Sequence, residues 1–276
     1  LPLFALSYER ISEKSQTKEL CTTGYVLKIV AFIPARYRSQ RFNGKPLALI
    51  AGKPMIQHVY QRAKECSELD EVYVATDDPR IYECVHRFGG QAIMTDEGHQ
   101  SGTDRIAEAA EKTNLADRDI VVNIQGDQPI FQPSILSDLI LPLIEDPTIP
   151  MSTLMYKLKE DQGLHDTNKV KVSVDSNGYA LYFSRLPIPF CRDHESKTIH
   201  YKHLGVYAYR KEFLSTFINL SYGLLERAEK LEQLRALEHG FKIKVVETMS
   251  DSIEVDTPED IKIVEQKLSQ INYPGS

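Results

Sequence analysis

Two stretches of the chain carry the clearest hydrophobic signal, Ile29 to Ile33 and the D-I-V-V-N-I segment from Asp119 to Ile124. Apolar runs dense in β-branched residues, with little alternation, suit strands buried on both faces, as in a parallel sheet. Shorter runs at Glu71 to Ala75 and Gln91 to Met94 predict two further strands. Between them, Met55, Val59, Ala63 and Cys66 recur at helical spacing after a Gly52-Lys53-Pro54 turn with Pro54 at the helix start. A second helix is predicted from Pro79 to Phe88, capped by Asp78 and stopped at Gly89-Gly90. A third opens within His99 to Arg105 and continues through Ala107, Ala109 and Ala110. Strands and helices alternating at this pitch predict βαβ units around a parallel sheet.

The pattern is less regular beyond Met151. Strands are predicted over Met151 to Leu158, Val170 to Val174 and Tyr179 to Ser184, the last two joined through Asn177-Gly178, a strong hairpin signal. Leu186 to Lys202 is a proline- and charge-rich excursion. In His203 to Tyr209, Leu204, Val206 and Ala208 alternate with His203, Gly205, Tyr207 and Tyr209. That second face reads as the lining of a polar pocket or, nearly as well, as core or dimer surface. One helix is predicted over Leu224 to His239, burying Leu224, Ala228, Leu231 and Leu234, with Glu232 and Gln233 beside the stripe. A strand over Lys242 to Glu247 follows. A closing helix is capped by Thr257, starts at Pro258 and runs to about Leu268, leaving Asp256 free just before it.

Charge adds one local anomaly. The 276 residues carry a formal net charge of −6, which argues against general nucleic-acid binding, and 26% are charged, an ordinary globular share. Yet Arg36, Arg38, Arg41 and Lys45 crowd the eleven residues after Pro34, which the pattern takes as the end of the first strand. Four cations beyond the carboxyl end of a buried strand, where open α/β sheets bind ligands, point to an anion such as a polyphosphate. Gly44 allows close backbone approach, and the absence of G-K-S/T excludes a Walker loop. Asp127, beside Gly126 at the end of the second buried strand, fits either a turn aspartate or a ligand for a hard cation, and the basic loop favours the cation. The polar entry His99 to Arg105 reads equally as an N-cap at Ser101 or Thr103 and as a helix terminus facing a ligand. Four cysteines without C-x-x-C pairing indicate neither zinc nor a disulfide framework and suit the cytosol. No apolar run reaches transmembrane length. Residues 1–27 read as an N-terminal extension, poorly ordered or docked on the surface, before a single domain over 28–276.

Taken together, the motifs resemble one family. I-P-A-R-Y at Ile33 to Tyr37, G-K-P-L at Gly44 to Leu47, A-T-D-D at Ala75 to Asp78, H-Q-S-G-T-D-R at His99 to Arg105 and V-N-I-Q-G-D at Val122 to Asp127 resemble 3-deoxy-manno-octulosonate (Kdo) cytidylyltransferases, the CMP-Kdo synthetases. So do Y-A-L-Y-F-S-R at Tyr179 to Arg185, H-L-G-V-Y at His203 to Tyr207, L-E-Q-L at Leu231 to Leu234 and V-D-T-P-E-D at Val255 to Asp260. The match stays in register over about residues 28 to 268. It implies an α/β, nucleotide-diphospho-sugar transferase-like (Rossmann-like) mixed sheet flanked by helices, with a β-rich dimerisation element at about 179–210.

The resemblance also implies roles. Arg36, Ser39, Lys45 and, less directly, Arg41 would contact the triphosphate. Thr76, Gln100, Ser101, Gly102, Arg105 and Gln125 would belong to the nucleotide site. Asp127 and Asp256 would hold Mg2+, and with Lys45 and Arg36 would form the catalytic group. Arg185, His203, Tyr207, Glu232 and Gln233 would form the sugar-acid pocket. Gln128 and Asp104 depart from the family, each standing where a glutamate is usual. The reaction implied joins CTP and Kdo to give CMP-Kdo and diphosphate, by in-line attack of the sugar hydroxyl on the α-phosphorus, in a cytoplasmic homodimer serving lipopolysaccharide synthesis. No side chain stands out as a general base. A CMP-sialate synthetase, a metal-dependent glycosyltransferase and a non-catalytic nucleotide-binding regulator are the competing readings, separated by sugar-acid preference and diphosphate release.

Overall fold

The computed structural model describes residues 25–38, 42–159, 163–192 and 198–270. Its centre is strand β1, Ile29–Ala35, in which Ile29, Ala31, Phe32 and Ile33 have no solvent exposure. Two parallel neighbours flank it, β4 (Glu71–Thr76) on one side and β6 (Ile120–Asn123) on the other. β5 (Gln91–Met94) extends the β4 side in parallel. On the far side β10 (Tyr201–Arg210) runs antiparallel to both β6 and β7 (Met151–Lys157), and β11 (Lys244–Thr248) closes that edge parallel to β7. The spatial order is β11-β7-β10-β6-β1-β4-β5, with the hairpin β8 (Lys171–Val174) and β9 (Ala180–Ser184) joined to the start of β10, while β2 (Leu49–Ile50) and β3 (Lys53–Pro54) pair separately. This is the mixed sheet the motifs imply.

Helices cover both faces, which is why β1 reads as a continuous apolar run. On one face Ile29, Ala31 and Ile33 pack with α1 (Met55–Lys64), α2 (Pro79–Arg87) and α4 (Ser134–Glu145). On the other, Val30 and Phe32 pack with α3 (Gly102–Glu111) and α5 (Lys211–Ile218). Each fully buried aliphatic or aromatic side chain of this kind stabilises the fold by roughly 1.5–3 kcal/mol. Neither α4 nor α5 is among the helices predicted above. Helix α4 carries Pro142 in its interior, but its buried Ile135, Leu136, Leu139, Ile140 and Leu143 recur at helical spacing opposite Ser134, Ser137, Asp138 and Glu145, a period the sequence reading passed over.

Three predicted elements differ in ways that matter for the site. Pro34 does not end β1, which continues to Ala35. The Phe32 carbonyl accepts from Ile124 N, so Pro34 turns the same way, where β6 has already ended, and its missing N–H costs no ladder bond. The helix predicted over 224–239 is two short ones, α6 (Leu224–Glu229) and α7 (Leu234–Glu238). Lys230, at φ 55°, breaks it in a left-handed conformation. Leu231 and Leu234 are buried as expected, but Leu224 is 79% exposed and Ala228 is also exposed. Finally, the closing helix α8, Asp260–Gln270, begins at Asp260 rather than Pro258. The Asp260 carboxylate accepts from the N–H groups of Asp256 and Thr257 and from the Thr257 hydroxyl. Among the described residues no helix is long and apolar enough to cross a membrane.

Candidate active site

The carboxyl ends of β1 and β6, where the strand order reverses direction, open into a cavity of about 270 Å³. Arg36 and Lys45 from the loop after β1 line it, with Gln125, Gly126 and Asp127 from the loop after β6. The entry to α3 adds Gln100, Ser101, Gly102 and Arg105, and Asp256 closes the rim. Two glycines let these loops meet. Gly44 has φ 74°, a left-handed turn that delivers Lys45 into the cavity. A Cβ at Gly126 would lie 2.8 Å from the Pro34 carbonyl oxygen, so only glycine fits beside β1.

Asp127 and Asp256, 129 positions apart in the chain, meet at Lys45. Lys45 Nζ lies 2.8 Å from Asp127 Oδ2 and 3.8 Å from Asp256 Oδ1, and it donates to the Val255 carbonyl at 2.9 Å. A short backbone bridge assembles the pair: Val255 N donates to the Asp127 carbonyl at 2.9 Å and Ile253 N to the Ile130 carbonyl at 3.2 Å. Gln128, 1% exposed, donates Nε2 to Glu254 Oε1 at 3.2 Å, so the departure from the usual glutamate ties the two acid-bearing loops together. Asp127 and Asp256 fit a magnesium ion by their chemistry. Two carboxylates already gather round one cation, and magnesium commonly takes one or two carboxylates and completes its shell with phosphate and water oxygens. Among the described residues no group of three or more His, Cys, Asp or Glu side chains offers a fuller metal cage.

The α3 entry is both a cap and a cavity wall. Ser101 Oγ accepts from Asp104 N at 3.0 Å and Asp104 Oδ2 from Ser101 N at 3.1 Å, a reciprocal capping box that Asp104 completes as a glutamate would. Arg105 is 3% exposed; it donates to Thr95 Oγ1 at 2.6 Å and pairs with Asp77 Oδ2 at 3.2 Å. Asp77, which follows Thr76 directly in the A-T-D-D motif and which the sequence reading passed over, holds Arg105 without itself lining the cavity. Thr76 itself is fully buried off the cavity lining, its hydroxyl accepting from Asp78 N. His99 bonds Glu108, which also accepts from Lys112 and from Asp96 N. Burial would raise the Glu108 pKa, but the bonds from Lys112, Asp96 N–H and His99 bring it down to about 2. Ser39 and Arg41 lie outside the described residues.

The sugar-acid candidates occupy the neighbouring half of the sheet. The turn between α6 and α7 carries Glu232 and Gln233, and Thr103 donates to Glu232 Oε2 at 2.6 Å, joining this turn to the α3 entry. Glu232 Oε1, 3.6 Å from Arg235, has no hydrogen-bond partner among the described residues. Burial raises the Glu232 pKa against the opposing pull of Thr103 and Arg235. Arg235 is held by a bidentate pair with buried Glu226, at 2.7 and 2.8 Å. His203 Nε2 bonds Thr153 Oγ1 at 2.9 Å, and its ring packs against Phe183 and Tyr207. Burial, helped by the Lys202 charge, pushes the His203 pKa down to about 3, so the imidazole is neutral at ordinary pH. Burial raises the Tyr207 phenol well above its usual value. Gln233 is buried, 5% exposed. The Arg185 guanidinium donates to the carbonyls of Glu229, Thr167 and Lys230, and none of Arg185, His203, Tyr207, Glu232 and Gln233 lines the cavity.

The cytidylyltransferase family model matches residues 30–245. A 3-deoxy-manno-octulosonate cytidylyltransferase of Syntrophus aciditrophicus is 55% identical over 87% of this chain and 97% of its own length. The chain belongs to this family. An 8-amino-3,8-dideoxy-manno-octulosonate cytidylyltransferase of Shewanella pealeana is 52% identical over 88% of this chain and 99% of its own. Among solved structures, a CMP:2-keto-3-deoxy-manno-octonic acid synthetase complexed with CTP superposes with a TM-score of 0.83 at 44% identity, covering 88% of this chain and 99% of that one. A 4-diphosphocytidyl-2C-methyl-D-erythritol synthase of Anaerococcus prevotii, 16% identical with a TM-score of 0.58, shares the fold.

Proposed function

We propose that the chain transfers a cytidylyl group from CTP to Kdo, giving CMP-Kdo and diphosphate. The observation that carries this reading is the convergence of Lys45, Asp127 and Asp256 at the cavity rim, in a chain of this family. The anomeric hydroxyl of the sugar acid attacks the α-phosphorus in line and diphosphate leaves, so positioning and charge stabilisation carry the catalysis. Arg36 and Lys45 offset the charge that develops on the leaving diphosphate. The loops at Gln100 to Arg105 and at Gln125 orient the cytidine. Glu232 Oε1, which accepts no hydrogen bond among the described residues and lies 3.6 Å from Arg235, serves a sugar hydroxyl, with neutral His203 and Tyr207 packed nearby. Asp127 and Asp256 would hold Mg2+, which when bound screens phosphate charge and favours ionisation of the attacking hydroxyl.

We assign the enzyme to the cytoplasm, supplying activated Kdo for lipopolysaccharide, as a homodimer. Leu181, Leu186, Phe190 and Ile199, all strongly exposed and all within the β-rich element at 179–210, support the dimer. A diphosphate-release assay crossing the four ribonucleoside triphosphates with Kdo, its 8-amino analogue and a sialic acid tests the function. Release is expected with CTP and Kdo. Release with CTP and the amino sugar alone would move the assignment to the activity for which the Shewanella relative is named, and no release with any pair would overturn it.

A further inference from the structure

The ammonium of Lys45 already occupies the space between the two acids. It donates to Asp127 Oδ2 at 2.8 Å and to the Val255 carbonyl at 2.9 Å and faces Asp256 Oδ1 as an ion pair at 3.8 Å, and its side chain is only 17% exposed. A magnesium ion held by both carboxylates at its usual ~2.0–2.1 Å would share that space with a second positive charge. The two cations therefore exclude each other. Lysine reaches its position on a flexible four-carbon stem, so it can leave without moving the backbone that the Val255–Asp127 bond holds.

We propose that Lys45 is a resident cation of the acid pair, which a divalent ion displaces, and that this exchange frees the ammonium for the triphosphate. The inference rests on the metal reading given under the proposed function. It gives Lys45 two successive sets of partners. Before the metal binds, the lysine neutralises part of the repulsion between Asp127 and Asp256. After exchange, two units of positive charge face those two carboxylates, and the lysine meets the β- and γ-phosphates from the other side. Metal and nucleotide binding are coupled through this side chain, and the coupling is reciprocal.

The expected signature runs against the ordinary effect of deleting a site residue. In the absence of nucleotide, Lys45→Met binds manganese(II), followed by electron paramagnetic resonance, about tenfold more tightly than the wild-type chain, because the competitor is gone. In the wild-type chain, acylation of Lys45 by an N-hydroxysuccinimide ester, read by peptide mass spectrometry, rises on adding magnesium alone. In Asp127→Asn it is already high and no longer responds. Unchanged or weaker manganese affinity in Lys45→Met overturns the exchange, as does Lys45 acylation indifferent to magnesium. Loss of manganese binding in Asp127→Asn shows that the acid pair is the metal site whichever way the lysine result falls. Retention of full binding in Asp127→Asn overturns the metal site and the exchange together.

Discussion

The two halves of the sheet solve opposite electrostatic problems. Around β1, β4 and β6, charged groups are held in mutual contact: Lys45 with Asp127 and Asp256, Arg105 with Asp77, and Glu108 with Lys112 and His99. Around β7, β9 and β10, polar groups are buried and kept neutral or locked in place: His203 unprotonated, Tyr207 and Tyr209 un-ionised, Arg235 fixed by Glu226. The first arrangement suits a highly charged, mobile triphosphate. The second suits a polyhydroxylated acid recognised by fixed hydrogen-bonding edges, where leaving one buried group unpaired is costly. Beside the β6–β10 ladder, the side-chain hydrogen bond from Thr103 to Glu232 joins the two.

The contrast breaks first, and hardest, at the acids. Asp127→Ala or Asp256→Ala is expected to lower turnover on the order of a hundredfold to a thousandfold with the fold intact. Steady-state kinetics at saturating magnesium beside circular dichroism check this, and full activity would remove the charged half from the chemistry. On the buried half, Glu226→Ala strands the Arg235 guanidinium and is expected to cost roughly 3–5 kcal/mol in urea unfolding. A loss confined to kinetics would mean that the pair is not structural.

A smaller effect separates the halves by pH. His203 takes up a proton more readily unfolded, at its ordinary value near 6.5, than folded, at about 3. Between those values the unfolded chain binds more protons, so stability falls as pH drops from about 6.5 toward 3. Unfolding titrations across that window should show a shallower decline for His203→Gln than for the parent chain. The least change is expected for Glu232→Gln. It keeps the oxygen that accepts from Thr103 and replaces the one 3.6 Å from Arg235, which the proposed function gives to the sugar acid, so it should raise the sugar-acid KM severalfold and leave the CTP KM unchanged. A matching rise in both constants would show that the Thr103 contact, not the sugar, is what the carboxylate serves.

Legibility followed the same division. The nucleotide side is built from strand ends, and a residue at the carboxyl end of a buried parallel strand is placed by the strand itself. Arg36 and Asp127 could therefore be assigned to one edge as soon as two apolar runs were recognised. The N-cap at Ser101, one of two candidates with Thr103, and the N-cap at Asp78 were readable for a similar reason, since both are local. The sugar side depends on exceptions to pattern. Lys230 breaks what reads as one amphipathic helix, and that break places Glu232 and Gln233 in a turn beside α3. Arg185, legible as a forked donor, is occupied by three carbonyls.

The sequence alone determined the alternation of strands and helices, the basic loop after β1 and the family, because these rest on local periodicity and on motifs kept in register. Only the tertiary structure decided that Asp256 lies beside Asp127, that Gln128 reaches Glu254 and that a lysine sits between the two acids. Those contacts join positions 82 to 211 residues apart, and nothing in a local pattern records them. They follow from the sheet order, which brings the loop after β11 across to the carboxyl end of β6.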